Sequence, residues 1–416
     1  MVRFTIAFVL LFTACAAMPV LNAQNPALLE KAKQGDAAAQ YKLGKYYSSE
    51  YLKALNEKKT KNEKKQAEIM KWIRKSAEQG YARAQFELGV YYRIGFCVEE
   101  DMNEAAKWFR KAAEQGLAEA QCNLGACYCE GEGVEKDLTE AVKWYGKAVA
   151  QGNKEAQYLL GMCYYGGKGV RENKAEAIKL FRKAAEQGVA DAQCMLGVCY
   201  YEGDGIQKNI AEAVRWIRKA ADQGVAEAQY TLGRLYYEGD GVQKNLIEAA
   251  KWFRKAAVQG FPDAQYILGL CYDNGEGVKK NIAEAVKWYR KSADQGVADA
   301  QCNLACCYRD GQGVKQDLSE AMKWFREAAD QGNARAQFGL GCCYLFGENV
   351  EIDYVEAVKW LRKSADQGFP DAQYTLGVCY EHGKGVQKNS AEAVKWYSRA
   401  AAQENEAAKK ALLKIR

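Results

Sequence analysis

Small and apolar residues recur at helical spacing along the stretch from residue 118 to residue 129: Ala120, Leu124, Cys127 and Tyr128, with polar Glu119 and Asn123 between them. Such spacing lines one face of an α-helix and predicts a first helix, A, over residues 118–129. Glu130-Gly131-Glu132-Gly133-Val134 follows. Glycine just past a helix accepts the left-handed backbone that other residues resist, so this segment reads as a helix stop. A second helix, B, begins after Asp137, and the unit closes at Gln151-Gly152.

The same hydrophobic and polar pattern returns at one fixed period. Gln-Gly pairs stand at Gln79-Gly80, Gln115-Gly116 and Gln151-Gly152 and continue every 36 residues to Gln367-Gly368. A first copy, Gln34-Gly35, lies 45 residues upstream of the second, and a decayed copy, Gln403-Glu404, ends the series. A unit of this length cannot bury its own apolar face, whereas stacked neighbours bury it together. The pattern therefore predicts an all-α solenoid of about ten repeats, spanning residues 24–404.

Each helix B carries an Asx residue three positions before a glutamate: Asp101 and Glu104, Asp137 and Glu140, Asn173 and Glu176. These pairs predict capping boxes with Asx in place of Ser or Thr. Pro262 and Pro370 fall where helix A should begin, and Asn153 and Asn333 one residue earlier, where they can cap it. All nine tryptophans lie four residues after the helix-B glutamate or its equivalent, and only Leu180 breaks the row. An aromatic ladder of this kind reads as core, with a stacking platform for bases or sugars as the alternative. The small Ala112 and Ala113 let the next helix A approach closely.

Other chemistries are tested by what these segments lack. A phosphate loop needs a preceding strand and a Gly-Lys-Ser/Thr ending, and an EF-hand loop needs a glutamate at its twelfth position. The Gly-x-Gly segments have neither. Lys107, Arg110 and Lys111 cluster late in helix B, but Glu104 and Glu114 interleave with them. With a net charge of +6, that arrangement suits a solvated face rather than a nucleic-acid stripe. The single histidine, His382, excludes a multi-histidine metal site, and no serine starts a Ser-x-x-Lys motif. Cys379 with His382 is the nearest thing to a nucleophile and base. No cofactor motif is present.

The first 23 residues differ in kind: Arg3, an apolar run over residues 4–17, Pro19, then Leu21-Asn22-Ala23, the layout of a secretory signal peptide. Acylation at Cys15 is the lipoprotein alternative. No second apolar stretch of spanning length follows, so no membrane insertion is expected after leader removal. Export makes fifteen cysteines notable. Ten of them share two repeat positions, for example Cys127, Cys163 and Cys199, or Cys122, Cys194 and Cys302. Equivalent sites on packed helices lie roughly 8–10 Å apart, beyond the roughly 7 Å a disulfide spans, so most are expected as buried small residues. Cys97 and Cys129 remain a candidate pair. A lysine-rich insertion of nine residues within 50–65 interrupts the first unit, whose helix A is expected near residues 36–48. Asn405 can cap a final helix over residues 406–415, part of a terminal cap spanning 405–416.

The pattern Ala-x-Ala-Gln-x-x-Leu-Gly-x-x-Tyr, then Gly-x-Gly-Val, then Asx-x-x-Glu-Ala-x-x-Trp-x-x-Lys-Ala-Ala, resembles the Sel1-like repeat, a relative of the tetratricopeptide repeat. The match covers nearly the whole mature chain. The first unit and Ala305, where the helix-A glycine is expected, depart from it. The resemblance implies a right-handed α/α superhelix that serves as a scaffold for protein partners. A cysteine-rich subgroup with a disulfide in each repeat is linked to penicillin binding; the positions that carry that disulfide read Ala113 and Gln121 here.

Three functions are thereby weighed. The leading one is an exported, non-enzymatic scaffold that is periplasmic or extracellular and binds a protein or peptide. The others are a β-lactamase-like hydrolase and a glycan-binding envelope protein with tyrosines as sugar platforms. Specificity should reside where the units differ, along a helix-A stripe: Asn123 and Ala126, Leu159 and Met162, Met195 and Val198, Thr231 and Arg234, Ile267 and Leu270. Spacings of three and four put these on one face, with Glu119, Glu155, Asp191 and Asp263 as an acidic rim. In such superhelices that face usually lines the concave side. Packing of the stripe against neighbouring units is the competing reading.

Overall fold

The computed structural model describes residues 26–56 and 63–415. The leader, Cys15 and the tract Lys58-Lys59-Thr60-Lys61 lie outside the described residues. Among the described residues every regular element is a helix, and within each of two compact units helices pack in chain order, A on its own B and B on the next A. The chain divides into two compact units, one ending at Asn209 and one starting at Ile210.

In the first unit the repeating pairs are Ala82–Ile94 with Met102–Glu114, Ala118–Glu130 with Leu138–Ala150, and Lys154–Tyr165 with Lys174–Glu186. Helix A Ala190–Glu202 follows. The second unit starts with helix B Ile210–Asp222 and continues through five pairs to Ser390–Ala401. There the last helix, Glu406–Ile415, follows an Asn405 cap whose side chain accepts from the Ala408 N–H at 2.9 Å. Ala408 is buried against Ala393, Tyr397 and Ala400, so this helix covers the end of the stack.

The physical reasons for each helix are largely those expected. Asp101 accepts from the N–H groups of Asn103 and Glu104 at 2.9 and 3.0 Å. Asn153 and Asn333 cap their A helices, and Pro262 and Pro370 hold the first helical position. Gly131 takes φ +78° and its N–H donates to the Cys127 carbonyl at 2.8 Å, closing helix A. Cys97 and Asn349, which replace the second loop glycine, take the same left-handed conformation, at φ 58° and 60°.

One expectation is corrected. The capping box is only half formed, because the N-cap N–H does not meet the glutamate. Asp101 N–H donates instead to the Tyr92 carbonyl of helix A at 3.0 Å, and Asp137 N–H to Tyr128 at 2.9 Å. This bond ties the start of helix B to helix A, and the freed Glu104 pairs with Lys107 at 2.8 Å.

The N-terminal end also holds an element that periodicity did not predict. Helix Pro26–Lys33 precedes the first A helix, and Gln40 Nε2 donates to its Ala32 carbonyl at 3.0 Å. The helix thus stands in for a preceding helix B. The early Gln34-Gly35 copy was its signal, since that pair elsewhere closes a B helix. The first A helix, Ala37–Asn56, runs 20 residues against 13 in Ala118–Glu130, so the insertion lengthens it.

Candidate functional site

The constant letters of the repeat are committed to holding it together. Ala112, Ala120 and Leu124 are fully buried. A β-carbon at Gly125 would stand 2.7 Å from the Tyr145 ring, so glycine here lets helix B's aromatic lie directly on the backbone of helix A. A β-carbon on Gly133 would meet the Met102 carbonyl oxygen at 1.9 Å. The second loop glycine is therefore a contact with the preceding repeat rather than an anion cradle.

The aromatic and basic rows have equally internal employment. Trp144, Trp216, Trp252, Trp324, Trp360 and Trp396 are buried, as is Leu180 in the broken position. Trp108 and Trp288 are half-buried. Lys147 lies over the Trp144 ring at 3.6 Å and Lys255 over Trp252 at 3.7 Å. Arg110 Nη2 donates to the Tyr128 hydroxyl at 2.6 Å, Arg182 to Tyr200 at 2.8 Å and Arg218 to Tyr236 at 2.7 Å. Cations spent on tyrosines, tryptophans and glutamates do not form a phosphate stripe, and tyrosines whose hydroxyls are held by arginine are poor free sugar platforms.

The enzyme candidates fare no better. Cys379 is fully buried, and burial pushes its thiol up to about 11. His382, which the sequence pattern places in the loop after helix A, is instead the exposed last residue of helix Pro370–His382. A buried neutral thiol is not a nucleophile for substrate in solution. Cys97 and Cys129 are free thiols, as are the other described cysteines.

The variable stripe behaves differently. Asn123, Ala126, Leu159, Met162, Met195 and Val198 in the first unit are all half-buried, with an open side. In the second unit Thr231, Ile267 and Leu270 are half-buried and Arg234 is exposed. Glu119, Asp191 and Asp263 of the rim are exposed, and Glu155 is half-buried. Part of each stripe also packs inward: Leu159 on the cluster around Tyr145 and Leu160, Ile267 on that around Phe253, and Leu270 on that around Tyr289. Asn123 accepts from Arg93 of the preceding repeat at 3.0 Å. Each stripe is thus a partly supported surface, neither core nor free side chain.

A second apolar surface, missed by the sequence reading, lies in the ninth repeat. Phe346, Ile352 and Val355 are 64%, 56% and 57% exposed. Val350, Ile352, Tyr354 and Val355 border an open cavity of about 540 Å³ with Glu351 and Asp353. In-register comparison would have found it, because Phe346 stands where Glu202 and Glu238 stand and Ile352 where Lys208 and Lys244 stand.

A model of the Sel1 repeat matches residues 37–59 and 70–81, then nine consecutive segments from 82–117 to 370–405. The chain belongs to the Sel1 repeat family. The split first match falls on the lysine-rich insertion. Among solved structures, a protective antigen of uropathogenic Escherichia coli displaying an SLR fold is 34% identical, with TM-score 0.62 over 95% of this chain and 90% of that one. A Sel1 repeat protein from Oxalobacter formigenes is 33% identical, with TM-score 0.54 over 79% of this chain and 91% of that one. No curated protein matches. The Sel1 repeat is a scaffold fold that typically mediates protein–protein interaction. Among the described residues no helix is long and apolar enough to cross a membrane.

Proposed function

We propose that this Sel1 repeat protein is an exported, non-enzymatic scaffold that binds a protein or peptide partner through the helix-A stripe. The observation that carries the reading is the contrast within one helix. Leu124 and Gly125 are buried and fixed, whereas Asn123 and Ala126 beside them are half-open and change identity from repeat to repeat. Leu159, Met162, Met195 and Val198 supply an apolar floor, and Glu119 and Asp191 an acidic rim. That chemistry suits a segment with apolar anchors and basic flanks. Export rests on the leader-like first 23 residues, and the likeness to a protective antigen of a uropathogen supports a surface or secreted setting.

The test is recovery of partners from the native cell by tagged wild-type protein and by the Leu159→Asp and Met195→Asp variants. Because both side chains are half-open, the variants should fold. Selective loss of the same partner from both is expected; unchanged recovery by folded variants removes the stripe from the reading.

A further inference from the structure

Cys306 sits on helix Ala298–Asp310 at the variable stripe position held by Ala126, Met162 and Val198 elsewhere. Arg335 of the next repeat places Nη2 3.7 Å from Cys306 Sγ, while its Nη1 donates to Asn303 at 2.9 Å and so keeps the guanidinium in place. One helical turn earlier on the same helix stands Cys302, 1% exposed. Arg309 adds a second positive charge, and Asp310, to which it is bonded at 2.7 Å, opposes it. Cys306 is half-buried, so one side of the sulfur is open.

The next repeat supplies an internal control. Cys342 occupies the same repeat position with the same partial burial, but Phe338 replaces Cys302 and Asp371 replaces Arg335. Burial pushes the Cys342 thiol up to about 12. The Cys306 thiol moves the other way, because the neighbouring Cys302 thiol and the Arg335 and Arg309 charges favour its thiolate.

We propose that Cys306, held between Cys302 and Arg335, is a nucleophilic modification site that reacts with hydroperoxides. The thiolate attacks the terminal peroxide oxygen, an S–O bond forms and the O–O bond breaks. The departing alkoxide, or hydroxide from hydrogen peroxide, takes a proton from water. Cys306 is oxidised by two electrons to the sulfenic acid and the peroxide is reduced to an alcohol or water. Cys302 does not resolve it to a disulfide while the helix is intact. Side chains one turn apart have β-carbons about 5–6 Å apart, and a disulfide needs about 3.5–4.5 Å.

The experiment treats the reduced full-length protein with hydrogen peroxide at neutral pH, traps sulfenic acid with a cyclic 1,3-diketone and locates the label by tandem mass spectrometry. Cys306 should be labelled at least about tenfold faster than Cys342, as expected for a thiolate against a neutral thiol. Arg335→Gln, at an exposed position, should slow Cys306 while leaving the helical circular dichroism unchanged. Equal labelling of Cys306 and Cys342, or an Arg335→Gln rate equal to wild type, overturns the proposal. No partner is present in the assay, so either outcome leaves the scaffold reading to its own test.

Discussion

Gln151 donates from Nε2 to Oε1 of Gln121 at 2.8 Å, and Gln121 in turn donates to the Ala113 carbonyl at 3.1 Å. One glutamine side chain thereby joins the end of the preceding helix B to the end of its own repeat's helix B. The relay recurs at Gln115 with Gln85, Gln187 with Gln157, Gln259 with Gln229 and Gln331 with Gln301. It explains why both the Gln of Ala-Gln and the Gln of Gln-Gly are constant along the chain. The amide is 5% exposed in Gln121, so its polar atoms have no water to fall back on.

Replacing Gln121 with leucine keeps the volume but leaves the Gln151 amide without this acceptor and removes the side-chain donor from the Ala113 carbonyl, which the Gly116 N–H still reaches at 3.0 Å. A loss of about 0.5–1.5 kcal/mol for each of the two hydrogen bonds removed is expected. Thermal or urea unfolding measures it.

Ala305 and Gly339 form a compensating pair. Where Gly125, Gly269 and Gly377 stand, the helix-B ring lies on the glycine, within 2.6–2.7 Å of a would-be β-carbon. In the repeat where Ala305 fills that place, a β-carbon at Gly339 of the following helix would meet Phe325 at 2.7 Å. Gly339→Ala should therefore overpack the site and cost about 1–3 kcal/mol. In an Ala305→Gly background the cost should shrink, because the ring regains room. A double-mutant cycle reads the coupling; strictly additive losses would show that the two positions do not share the ring.

Asp204 accepts from Lys174 at 2.8 Å and from the Tyr165 hydroxyl at 2.6 Å. The Lys174 hydrogen bond, followed by that from Tyr165, holds its carboxyl below the usual range. A depressed carboxyl contributes stability above the ordinary aspartate value and loses it as pH falls through the depressed one. The Tm of Asp204→Asn should accordingly lie below wild type at neutral pH. The gap should close as pH falls below about 4, the ordinary aspartate value.

Much of the fold was legible because the period is rigid. Helix starts at Asp101, Asn153 and Pro262 and the stop at Gly131 carry local chemistry that does not depend on tertiary context. What escaped notice is what depends on a neighbour. The bond from Asp101 to Tyr92 replaced the expected capping-box return because helix A brings a free carbonyl alongside. Helix Pro26–Lys33 has Ala27 where a B helix carries its tryptophan, so only its Gln-Gly ending announced it. For the candidate site, the alternation of constant and variable letters marked the stripe. The Cys302, Cys306 and Arg335 cluster joins two repeats and has no signature in either one alone.

The central claim is a division of labour in helix A between letters that stack repeats and letters that recognise a partner. It is tested most directly by measuring the affinity of the recovered partner for wild type, Met195→Asp and Gln121→Leu, with Tm taken on the same samples. The account predicts that Met195→Asp weakens binding by at least about tenfold, as for a central anchor, with Tm unchanged. Gln121→Leu should instead lower Tm and leave the affinity of the folded protein intact. Wild-type affinity in Met195→Asp, or a loss of affinity that simply tracks Tm in both variants, would contradict it.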